Sequence, residues 1–130
     1  MSAFDRFVET PWAWIALAML VLVASFPGAA SMPALDRDEA RFTQASSQML
    51  ETGDYVVINF QDDYRNKKPV GIHWLQAAAV AVTSDAAERN ITAYRIPSLL
   101  CGMVAAMGAF WCALAFMPRR AAFLGAGLFA

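Results

Sequence analysis

Five of the seven residues in "DRDEARF", Asp36 to Phe42, carry a charge. Asp36 followed three positions later by Glu39 has the pattern of a helix-capping pair, with Asp36 on the orphan backbone donors and Glu39 reaching back. Asp38 then falls in the first turn of a helix, whose N-terminus favours anions. Its carboxylate is expected to stay ionised, able to accept a proton or to hold a metal ion. Arg41 lies one turn further on, on the same side as Asp38. Lys67 and Lys68 precede Pro69 and a second apolar helix. A base for an attacking hydroxyl, with cations for a departing phosphate, is what such a set of side chains could supply. The plainer reading is a set of solvated charges that cap two surface helices.

These residues sit between two apolar segments. The chain has 130 residues, 58% hydrophobic and only 16% charged, against about a quarter charged in an ordinary soluble domain. No charge falls between Thr10 and Leu35, and none between Ile96 and Pro118. Both gaps exceed the roughly 20 residues that cross about 30 Å of hydrocarbon. Sixteen of the 21 charges lie between them, nine acidic and seven basic, so that stretch is expected to be wet. Net charge is −1, which offers no footprint for nucleic acid.

The expected class is all-α and transmembrane. A first span covers residues 12–29, with Trp12 and Trp14 as interfacial anchors. The same run could serve as a signal peptide, since "GAASMPA" resembles a cleavage site, but Asp5 and Glu9 deny it a positive leading region. An external loop, 36–95, contains helices at about 37–52 and 69–83. The second span covers 96–117, with Pro97 in its first turn and Gly102, Ala106 and Ala109 as a small-residue surface for another helix. Arg119 and Arg120 form the expected cytoplasmic flank, which puts the N-terminus on that side and the loop outside. Residues 121–130 are apolar and too short to cross a bilayer, and are expected to begin a third span of a longer polytopic protein.

Within the loop, Phe42, Ala45 and Met49 share a face, with Gln44, Ser47 and Gln48 off it, and Gly53 takes the left-handed position that ends the helix. That thin apolar stripe suits a helix lying along a membrane surface. Val56 to Ile58 favour extended backbone, while Asp62, Asp63 and Asn66 favour turns. The apolar stretch from Val70 to Thr83, 14 residues long, is too short to span and reads as a juxtamembrane or re-entrant helix. Cys101 and Cys112 are expected as small apolar core residues. His73, the only histidine, is expected as an interfacial residue with a satisfied ring, with a substrate contact as its other use. "NIT" at Asn90 matches a glycosylation acceptor by chance.

The order of apolar span, "DRDEARF", a helix ending "MLETGDYV", then "NKKPVGIHWLQA" and "YRIPSLL", resembles the start of the membrane-embedded GT-C glycosyltransferases. More narrowly, it resembles the family of 4-amino-4-deoxy-L-arabinose transferases and protein O-mannosyltransferases. The resemblance covers nearly the whole chain. It implies an inverting transfer of a sugar from a polyprenyl-phosphate donor to a lipid or protein acceptor at the periplasmic face of a bacterial inner membrane, with membrane lipids as surroundings. Asp38 matches the family's proposed catalytic carboxylate, and Glu39 matches its partner, in a structural or a chemical role. Lys68 matches the lysine near the donor phosphate, and Arg95 matches the arginine that faces the lipid phosphate or anchors a helix end. Arg41 is assigned with these cations to the donor phosphate. Many relatives have Glu-Lys-Pro where this chain has Lys67-Lys68-Pro69. That exchange puts a divalent cation in doubt, although Asp62 or Asp63 could compensate, and the resemblance leaves the cofactor unknown. The non-enzymatic alternative is a two-span anchor whose loop binds a partner or a lipid head group.

Overall fold

Twenty uncharged residues, Trp12–Ser31, form helix α2, and 23 residues, Ile91–Ala113, form helix α5. In the computed structural model, which describes residues 2–65 and 67–130, these two helices are long and apolar enough to cross a membrane. Only 17% of either apolar window is buried, whereas the core helix of a soluble domain is mostly covered by its own chain. Val23 on α2 and Trp111 on α5 stand more than two-thirds exposed, which favours a solvent of lipid rather than water for these faces. The protein is mostly helical, 72%, which puts it in the all-α class.

The spans differ at their edges from the sequence expectation. Helix α5 starts at Ile91, five residues ahead of the expected 96, and leaves helical geometry after Ala113. Asn90 accounts for the early start: its Oδ1 accepts the Thr92 N–H at 3.1 Å, as a helix-capping side chain does. Pro97 therefore lies inside the helix and not in its first turn, where it deprives the Ala93 carbonyl of its usual partner. The last segment forms α6, Arg119–Phe129, two residues earlier than the expected 121.

The chain forms two compact units, one of residues 1–27 with 98–130 and one of residues 28–97. In the first, Ala13, Leu17, Phe110, Ala122 and Ala126 make the core. Gly102 meets α2 as its small size allows, since an added Cβ would lie 3.3 Å from Val21 Cγ1. Ala106 is fully buried. Cys101 and Cys112, in contrast, are exposed on α5 and not in the core. A short helix that the sequence reading omits, α1 (Ala3–Val8), is capped by Ser2 and Asp5 in a reciprocal pair. Phe4 and Phe7 of α1 meet Phe123 edge-on, Asp5 pairs with Arg120, and Arg119 donates to the Val8 carbonyl.

In the second unit, helix α3 (Arg37–Thr52) packs on helix α4 (Gly71–Thr83). Gly53 ends α3 with φ +72°. The apolar stripe of α3 does not lie free for a membrane surface. Ala45 and Met49 are buried with Ile58 and Val70, and Ser46 and Ser47 are buried as well. The expected extended run at Val56–Ile58 gives way to a hairpin just beyond it: β1 (Asn59–Phe60) pairs antiparallel with β2 (Asp63–Tyr64). Its turn falls on Gln61 and Asp62, so Asp63 belongs to a strand, while Asn66, expected in a turn, lies outside the described residues. Gln61 adopts φ +58° without being glycine. The Gln48 side chain holds it there, donating to the Gln61 carbonyl at 3.0 Å and accepting its N–H at 2.8 Å.

Candidate functional site

Asp36 caps α3 through the Asp38 N–H at 3.2 Å, which sets Asp38 and Glu39 in the first turn. Successive residues on a helix point about 100° apart, so the two carboxylates face different partners. Asp38 Oδ1 lies 3.7 Å from Arg41 Nη1 and 3.6 Å from Arg65 Nη2. Half of the Asp38 side chain is exposed. The site thus presents a reachable carboxylate flanked by two guanidiniums.

Glu39 turns instead to Arg95. The Arg95 Nε donates to Glu39 Oε1 at 2.5 Å and Nη2 to Oε2 at 3.0 Å, a fork-to-fork pair. Nη1 donates to the Ala29 and Met32 carbonyls, at 2.8 and 2.6 Å, and Nη2 to Pro33 at 3.1 Å. All five N–H donors of this guanidinium are therefore engaged. Arg95 ties the start of α5 to the carbonyls at the end of α2 and to the first turn of α3. The hydrogen bond from Arg95 holds the Glu39 carboxyl below its ordinary value, against the opposing effect of burial. The expected capping role of Glu39 toward Asp36 is replaced by this clamp.

Lys67 and Lys68 are exposed in the turn before α4, and no ion pair engages them among the described residues. Among the described residues, the cations within 4 Å of Asp38 are Arg41 and Arg65, not Lys68. Arg65 went unremarked in the sequence, although it stands three residues before Lys68. Its place depends on the hairpin: the Arg65 N–H donates to the Ile58 carbonyl at 2.7 Å, which extends the β1–β2 ladder by one residue, and its guanidinium lies 5.7 Å from the Phe60 ring centre. An aromatic residue and an arginine on either side of a tight turn were the only available signal.

No group of three or more His, Cys, Asp or Glu side chains among the described residues is arranged to hold a metal ion. The donors around Asp38 do not fit a divalent cation: Glu39 is spent on Arg95, and two arginines already face the carboxylate.

Behind the site runs a buried polar chain. Gln76 donates through Nε2 to the Tyr94 carbonyl at 3.2 Å, so its Oε1 accepts the Ser46 hydroxyl at 2.8 Å. Ser46 Oγ also lies 3.0 Å from His73 Nδ1, so one hydroxyl joins the imidazole to the Gln76 amide. His73 is 1% exposed, and burial lowers its pKa, with the Phe42 backbone pulling the other way. The satisfied-ring expectation fits this geometry. Trp74 donates from Nε1 to the Tyr55 carbonyl at 2.6 Å and, with Tyr55, Leu50, Ala77, Ala78 and Ala81, borders an apolar groove of about 320 Å³.

No protein-family model, curated protein or solved structure matches this chain.

Proposed function

We propose that this chain is the N-terminal region of an inverting GT-C glycosyltransferase of a bacterial inner membrane. The donor is a polyprenyl-phosphate sugar and the acceptor a hydroxyl on a lipid or protein at the periplasmic face. The observation that carries the reading is Asp38: a half-exposed carboxylate in a helix first turn, facing two guanidiniums, in a charged segment between two apolar helices. The loop order that resembles the family supports it further. The pairing of Asp5 with Arg120 and of Arg119 with the Val8 carbonyl supports a topology with the N-terminus and these arginines on one side, which the arginine flank assigns to the cytoplasm. Residues 36–95 are then periplasmic.

In the proposed reaction the acceptor oxygen attacks the anomeric carbon while its proton passes to an Asp38 carboxylate oxygen. The bond from the anomeric carbon to the phosphate oxygen breaks, and the electron pair leaves with polyprenyl phosphate, whose charge Lys68 and the neighbouring guanidiniums offset. Arg95 acts as an anchor in this scheme because its donors are occupied. Asp38→Asn in the full-length protein is expected to lower sugar transfer by about 10²–10⁴-fold, the usual worth of a positioned base, with the protein still folded. Normal transfer by that variant, measured with a radiolabelled polyprenyl-phosphate sugar, would remove Asp38 from the mechanism and favour the membrane-anchor alternative.

A further inference from the structure

Two arginines in this unit are held in opposite ways. Arg95 has every donor engaged, whereas no hydrogen bond leaves the Arg65 guanidinium among the described residues. Arg65 is nonetheless the more buried of the two cations beside Asp38, 13% exposed against 40% for Arg41. Its Nε is fully buried without a partner. The 3.6 Å to Asp38 is an ion-pair separation, too long for a hydrogen bond. A guanidinium cannot discharge itself by losing a proton, and an unpaired buried donor of a charged group is costly. An arriving oxyanion would remove that cost, and reorienting the fork toward it would break no hydrogen bond.

We propose that Arg65 is the phosphate-gripping residue of this site, taking two oxygens of the donor phosphate on its planar fork. The inference rests on the transferase reading and adds to it a residue that the family resemblance does not supply. Three features favour an anion here. The trio of Asp38, Arg41 and Arg65 carries a net charge of +1, one carboxylate against two guanidiniums, and Lys67 and Lys68 follow in the same loop. The fork of an arginine matches phosphate geometry as an ammonium does not. The Phe60 ring on one face of Arg65 and the ladder bond from its N–H to Ile58 set its base firmly, while its tip is held, among the described residues, only by the ion pair with Asp38. The shared chemistry is a phosphate oxyanion, whether on a lipid or free in solution.

The test uses the full-length protein in detergent, with undecaprenyl phosphate, undecaprenol and inorganic phosphate as probes and quenching of tryptophan fluorescence as the readout. Wild type is expected to prefer undecaprenyl phosphate to undecaprenol. Arg65→Gln should weaken undecaprenyl phosphate binding roughly ten- to hundredfold, as loss of a charged hydrogen-bonding group implies, and Arg65→Lys should fall between. Undecaprenol binding should not change, which separates loss of phosphate contact from loss of fold. If Arg65→Gln misfolds, Arg65→Lys, which keeps charge and bulk, carries the comparison. Binding of undecaprenyl phosphate by both variants at wild-type strength overturns the role of Arg65 and leaves the transferase reading intact. A wild type that does not distinguish undecaprenyl phosphate from undecaprenol overturns the transferase reading. In that case Arg65-dependent binding of inorganic phosphate would retain the anion site alone, and its absence would end both.

Discussion

Adjacent carboxylates at the start of α3 have different surroundings, and the difference makes separate predictions for them. Glu39 and Arg95 form a partly buried pair, with the Arg95 fork also serving three backbone carbonyls. Arg95→Gln leaves Glu39 without its counter-charge and is expected to cost about 2–4 kcal/mol of stability, with Glu39→Gln in the same chain recovering part of it. Thermal unfolding of both variants checks this, and an Arg95→Gln protein of full stability that no longer binds donor would return Arg95 to the phosphate. His73 governs stability in a different pH range. Burial lowers its folded pKa below the ordinary 6.5, so below pH 6.5 the unfolded chain takes up a proton that the folded chain refuses. The contribution is therefore complete above pH 6.5 and is lost as pH falls toward the folded value. A scan of unfolding temperature from pH 7.5 to 5.5 should show this decline in wild type and a shallower one in His73→Phe.

The helices of residues 28–97 are set by local chemistry at their ends and by long-range contacts along their faces. Asp36 and Gly53 bracket α3, one accepting the Asp38 N–H and the other turning the chain at φ +72°. Gly53→Ala meets no steric neighbour, so its cost is conformational alone, about 1 kcal/mol. It should show as a lower unfolding temperature with unchanged donor binding. A loss of donor binding at full stability would mean that the α3 terminus does more than end a helix. The hairpin after α3 depends on a side chain 13 residues away, since Gln48 grips the backbone of Gln61 on both sides. Asp62 marked the turn, but Gln61, where a left-handed backbone would ordinarily call for glycine, gave no local sign of its conformation.

At the scale of the whole molecule, α2 and α5 expose apolar side chains along most of their length, which a bilayer would cover. Cys101 and Cys112 on α5 report on this directly. In intact membrane vesicles neither thiol should react with a water-soluble maleimide, while a Lys68→Cys variant should react from the periplasmic side only. Reaction of Cys101 or Cys112 in the dark of the bilayer, or of residue 68 from the cytoplasm, would overturn the proposed topology.

The apolar spans, the capped helix at 37–52 and its end at Gly53 were legible in the residues themselves, because helix length, a capping side chain and a left-handed glycine act within a few positions of one another. Asp38 was legible for the same reason: its place in the first turn needs only Asp36 before it. Only the tertiary structure decided which cation serves which carboxylate. Arg95 reaches Glu39 across 56 positions, and Arg65 reaches Asp38 across a hairpin whose turn is held by Gln48 of the same helix as Asp38. Such pairings depend on where distant segments meet, and spacing along the chain does not encode that meeting. The apolar face of α3 shows the same limit, since its pattern fits burial against lipid or against α4 equally well, and only the packed chain supplies Ile58 and Val70 as its neighbours.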